Sequence, residues 1–197
     1  MKIERVNWIN IGALPSKSYI CGNCGNSLAS AQGFSASSTR QSNLSAYIYI
    51  CHFCFRPTHF DVEGNKMPGS PYGNKVNNIP SDVETLYNEA RNCTSCNAYT
   101  ASVLCCRKLL MNIAVSKGAE EGLKFIEYVE YLSNKHFIPP DGKDWVDHIR
   151  TKGNEATHEI LIMKKEDAEE LITFIEMLLK FIYEFPAIIK SKKIGNN

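Results

Sequence analysis

The chain has 197 residues, 44% of them hydrophobic and 22% charged, which suits a folded protein of one medium domain or two smaller ones. Its formal net charge of +1 is unevenly spread, with seven Lys and Arg against three Asp and Glu in residues 1–80, and fifteen against eighteen in residues 81–197. Neither part has the strongly basic footprint of a dedicated nucleic-acid binder, no run approaches the ~18 apolar residues of a membrane span, and the N-terminus lacks the apolar stretch of a secretion signal, so a cytoplasmic protein with no membrane contact is expected.

The first candidate element is metal-binding. The segment Tyr19-Ile-Cys-Gly-Asn-Cys-Gly25 sets two thiols on a tight turn, with glycines free to adopt positive φ. A β-prone run, Tyr47-Ile-Tyr-Ile-Cys-His-Phe-Cys54, delivers a second pair. The 26 residues between Cys24 and Cys51 are rich in Ser, Ala and Gln and are expected to form an extended loop. In a cell interior thiols stay reduced, and paired Cys-x-x-Cys motifs then point to metal rather than to disulfides. Cys21, Cys24, Cys51 and Cys54 complete a tetrahedral shell without an open position, the mark of a structural zinc ion, so residues 1–60 are predicted to be a zinc ribbon. His52 or His59 could each replace a thiol. Tyr47, Tyr49, Phe53 and Phe55 are expected to fill the ribbon's small core, with stacking on nucleic-acid bases as the alternative.

Residues 61–80 hold three of the eight prolines among Gly, Asn and Ser, without periodicity, and read as a linker. Ser81-Asp-Val-Glu84 has the form of a capping box opening a helix from Asp82 to about Lys117, stopped by Gly118. A second helix is expected from about Glu120 to Asn134, and Pro139-Pro140 forbids its continuation. A third contains Trp145 and Ile149. A fourth runs from about Lys165 to Phe185, with Pro186 just past its end and residues 187–197 as a flexible tail. Cys93 and Cys96 form a further Cys-x-x-Cys, read as helix or core cysteines because no second pair completes a zinc shell. The fold class predicted from this pattern is mainly α, an antiparallel helical bundle over residues 81–186 preceded by a small β-rich zinc ribbon.

The order Ile79-Pro-Ser-Asp-Val-Glu-Thr-Leu-Tyr-Asn-Glu-Ala90, then Ala98-Tyr-Thr-Ala-Ser-Val-Leu-Cys-Cys-Arg-Lys-Leu-Leu110, then Leu123 to Phe137, then Ile149-Arg-Thr-Lys-Gly-Asn-Glu-Ala-Thr-His158, resembles the domain-of-unknown-function family DUF4145 over roughly residues 79–186. That family is grouped with HEPN-like helical domains, is often preceded by a zinc ribbon, and occurs in prokaryotic defence contexts. The resemblance implies a homodimer with a protein or RNA partner. Many HEPN domains are metal-independent RNA endonucleases, which would cast His158 as acid or base, Arg150 as a phosphate clamp and Asn154 as a positioning donor. Three functions are therefore expected in competition: a binding or adaptor module, a ribonuclease, and a structural subunit or inhibitor of a larger enzyme. No Walker loop, nucleophile elbow, dinucleotide fingerprint or His-Glu-x-x-His motif supports another enzyme class.

Overall fold

A computed structural model describes residues 6–37, 45–138 and 162–194, with side chains as far as residue 192. The chain forms two compact units, Met1–Pro71 and Tyr72–Asn197.

The first unit is an antiparallel meander of five strands in chain order: β1 Gly12–Ile20, β2 Ser27–Ser37, β3 Ser45–Ile50, β4 Pro57–Phe60 and β5 Lys66–Met67. This overturns the expectation of a mainly α chain. With 45% helix and 20% strand the protein is mixed α/β, because a complete sheet precedes the helices. The difference lies mostly in β2, which occupies the stretch expected to be a loop. Its eleven residues contain no β-branched side chain, yet they pair with β1 on one side and β3 on the other. Small residues are what this central position requires: Gly33 lies opposite Tyr49, and a Cβ there would run into the carbonyl of Ile48. Strand propensity is a statement about fit to neighbours, and here the fit excludes bulk.

Tyr19, Leu28, Tyr49 and Phe60 pack with Cys21, Cys51 and Cys54 into a small core. The Phe60 ring sits edge-on to Tyr19 and Tyr49, with centroids 5.3 and 5.7 Å away. The Tyr49 hydroxyl donates to the Pro15 carbonyl at 2.8 Å, which ties β1 to β3 across β2. Phe53, expected in this core, is instead 52% exposed, and Phe55 is half-buried.

The second unit contains α1 Ser81–Ser95, α2 Tyr99–Ser116, α3 Phe125–Asn134, α4 Lys165–Leu179 and α5 Phe185–Ile194, the last two joined by a π-helical turn, Lys180–Glu184. Cys106, Leu109, Leu110 and Ile113 of α2 meet Val129 and Leu132 of α3 and Ile172, Ile175, Leu178 and Leu179 of α4 in one apolar cluster. Among the described residues no helix is long and apolar enough to cross a membrane.

Several helix ends differ from the sequence reading. The single helix expected from Asp82 to Lys117 breaks after Ser95, where Asn97 takes a left-handed conformation (φ 60°) and the Asn97 and Ala98 amides return to Thr94 and Cys93 carbonyls. Asparagine tolerates that conformation better than most residues, so the turn forms without glycine or proline. Ser81 is already helical and makes no side-chain cap, because Pro80 holds the N-cap position. Pro186 does not end the last helix. It sits in the first turn of α5, where a missing amide is tolerated, just after the π-turn has interrupted the α ladder. The helix expected around Trp145 and Ile149 lies outside the described residues.

Residues 72–80 of the second unit lie along its helices as a strap. Val76 is buried in its core, and Arg91 of α1 donates to the carbonyls of Tyr72 and Gly73 at 3.0 and 2.8 Å.

Candidate metal centre

The β1–β2 and β3–β4 turns emerge at the same end of the meander, and each carries one Cys-x-x-Cys. Both follow one backbone plan. The residue after the second cysteine is left-handed, Gly25 at φ 74° and Phe55 at φ 57°. Its amide donates to the carbonyl of the first cysteine, at 2.9 Å in one turn and 2.8 Å in the other. The first cysteine's own amide then closes the loop on Asn26 (2.9 Å) or Arg56 (3.1 Å). Gly25 suits this geometry without strain, whereas Phe55 is held in it by the fold. The Trp8 indole donates to the Phe55 carbonyl at 2.7 Å and braces the second turn.

The four sulfurs of Cys21, Cys24, Cys51 and Cys54 all lie within 4.8 Å of one another. Across the two turns, Cys21 to Cys54 is 3.7 Å and Cys24 to Cys51 is 3.8 Å. A tetrahedral ion with thiolate bonds of ~2.3 Å requires sulfurs ~3.8 Å apart, while a disulfide requires ~2.05 Å, so the spacing is that of metal coordination. Cys21 and Cys51 are fully buried and Cys24 is half-buried. Outer contacts orient the sulfurs: the Asn23 amide lies 3.4 Å from the Cys21 Sγ, and the Asn26 side-chain amide lies 3.4 Å from the Cys24 Sγ.

Burial pushes Cys51 and Cys54 up, amide donors opposing it only in part. At Cys21 burial pushes the same way, but the amides of Asn23 and Cys24 outweigh it and the thiol falls below its ordinary range. Burial, with the neighbouring cysteines, pushes the Tyr19 phenol up to about 12. A divalent cation among the sulfurs would hold all four as thiolates. Burial lowers the Lys66 ammonium below its ordinary value, and the neighbouring Cys21 opposes this only in part. The Lys66 ammonium donates to the Ile20 carbonyl and the Ser70 hydroxyl, each at 2.7 Å.

His52 and His59 are both exposed, and the cluster contains neither. His52 instead lies against Phe53, the rings tilted by 41° with centroids 4.3 Å apart. Among the described residues no other cluster of metal-ligating side chains is found, Cys93 and Cys96 included. Cys93 is half-buried near the end of α1, and Cys96 is exposed in the turn that follows. Arg150, Asn154 and His158 lie outside the described residues. Arg107, the polar residue of α2, is 8% exposed, with its guanidinium 4.4 Å from the centre of the Phe125 ring.

Sequence reasoning missed Lys66, Asn23 and Asn26. The repeat Cys-Gly-Asn-Cys-Gly-Asn in residues 21–26 carried the signal for the two asparagines. It also missed the closeness of Gly22 to the segment after β5, where a Cβ would collide with the carbonyls of Pro68 and Gly69.

A family model described as a domain of unknown function (DUF4145) matches residues 88–196. No curated protein and no solved structure matches the chain.

Proposed function

The chain belongs to the DUF4145 family through residues 88–196, and from that premise we propose that it is a binding or adaptor module. In this reading a zinc ribbon and an HEPN-related helical domain each present a recognition surface, in a prokaryotic defence or mobile-element setting. The observation that carries it is the closed four-sulfur shell. Borderline-soft zinc takes four thiolates tetrahedrally, and a shell so completed has no position for water or substrate, so the ion shapes a surface and performs no chemistry. The family resemblance adds a homodimer, which sedimentation of the full chain tests.

The competing reading is a metal-independent ribonuclease using Arg150, Asn154 and His158. One experiment separates the two. Full-length chain with its zinc retained, and free of other divalent cations, is incubated with diverse RNAs beside His158→Ala of matched circular dichroism. The binding module leaves every RNA intact. Cleavage by the wild type that the variant loses overturns it in favour of the nuclease.

A further inference from the structure

The strap is fastened to α4 and the π-turn by two matching clasps. The Glu176 carboxylate accepts from the amide and side chain of Asn74 at 2.7 and 3.0 Å and is paired with Lys180. The Glu184 carboxylate accepts from the amide and side chain of Asn77, both at 2.9 Å. Gly73 lets the strap lie this close, being left-handed (φ 77°) with room only for hydrogen: a Cβ would come within 2.7 Å of the Ile172 Cγ2. Beside the strap is a cleft of about 620 Å³, whose lining includes Tyr72, Glu176, Met177, Lys180, Phe181 and Phe185.

Exposed apolar side chains border the cleft among the described residues. Phe181 and Phe185 are 51% and 42% exposed and stand edge to face with centroids 5.4 Å apart, and Ile188 and Ile189 of α5 continue the stripe at 41% and 56%. Aromatic and aliphatic side chains grouped in this way mark an interaction surface. A π-turn frequently accompanies such a site, and this one supplies Lys180 and Phe181. Charge is balanced within the cleft, where Glu176 pairs with Lys180, and Glu184 is buried and accepts from Asn77, while Lys190 and Lys192 of α5 are exposed.

We propose that this face docks an acidic peptide segment of a partner protein, with one bulky apolar side chain seated in the cleft beside Phe181 and Phe185, and flanking carboxylates meeting the exposed Lys190 and Lys192. The proposal deepens the binding-module reading and rests on it. A concave seat favours a protruding side chain over a flat bilayer, and two copies of this face brought together would set lysine against lysine.

The test pans a phage library of random short peptides on the full chain, then titrates synthetic versions of the selected peptides by fluorescence anisotropy. The expected sequences carry an aromatic or large aliphatic residue flanked by Asp or Glu. Phe181→Ser with Phe185→Ser weakens their binding by roughly tenfold or more, and Lys190→Glu with Lys192→Glu shifts preference to basic analogues. All four residues are exposed, and circular dichroism and zinc content verify that the variants fold. Peptides without acidic enrichment, or binding unchanged in the Phe variant, overturn the proposal. So does Phe-dependent sedimentation with phosphatidylserine vesicles in place of peptide binding, or a wild-type dimer that the Phe variant converts to monomer. RNA cleavage by a chain that still binds acidic peptides would remove the adaptor reading and leave this docking face standing.

Discussion

The ribbon and the helical unit solve the problem of holding a chain together by opposite means. The ribbon's core has seven buried apolar side chains, three of them cysteines whose sulfurs face one another. The helical unit buries a continuous cluster drawn from α1 to α4, with twelve further apolar residues packed against it. A segment of about 60 residues rarely builds enough core by itself, and structural zinc can supply folding free energy of order 10 kcal/mol in such cases. The same residue type has two meanings here. Cys21, Cys24, Cys51 and Cys54 form a cluster with the spacing of metal ligands, whereas Cys106 is core packing whose thiol burial pushes well above its ordinary value.

The largest effect that could break this comparison is removal of the metal. A strong chelator, or Cys51→Ser, is expected to abolish the dispersed β-sheet amide signals of the ribbon while helical circular dichroism persists. Loss of both together would show that the units do not rest on separate foundations. Next in size is Leu110→Ala, which opens a cavity in the helical core and is expected to cost about 2–5 kcal/mol in the helical transition while metal content stays unchanged. Gly22→Ala tests the ribbon by crowding instead of ligand loss. Its methyl would meet the Pro68 and Gly69 carbonyls, and a cost of about 1–3 kcal/mol is expected, read from the rate at which a chromogenic chelator withdraws the metal.

The smallest effect concerns pH. At Glu176 burial pushes the carboxyl up, but Lys180 and Asn74 outweigh it and hold it below its ordinary value of 4.5. A group so depressed adds stability that is present above the unfolded value and is lost as pH falls through the folded one. Helical stability is therefore expected to decline as pH falls below about 4.5, and Glu176→Gln should flatten that decline in thermal melts across this range.

What could be read in the sequence followed from how local each signal is. The cysteine pairs are legible because ligand chemistry and two-residue spacing act within one turn. The apolar faces of α2 and α4 are legible because they repeat at helical spacing over several turns. β2 is not, since its fitness depends on strands lying either side of it and its small residues carry no strand signature. The turn at Asn97 escapes notice because it uses neither glycine nor proline. The strap was hidden by distance: Asn74 meets Glu176 across 102 positions and Asn77 meets Glu184 across 107, and no local pattern couples them. The set Arg150, Asn154 and His158 came from family resemblance, and its placement lies outside the described residues.

The central claim, that four thiolates from two facing turns hold one tetrahedral ion on which the ribbon's fold depends, is tested most directly by titrating reduced, metal-free full chain with cobalt(II). One equivalent should saturate a signal combining tetrahedral ligand-field bands with thiolate charge transfer, zinc should displace it, and sheet-type amide dispersion should appear in step with it. A ribbon already folded before cobalt is added, or the same signal from a chain with all four of Cys21, Cys24, Cys51 and Cys54 replaced by Ser, would contradict the account.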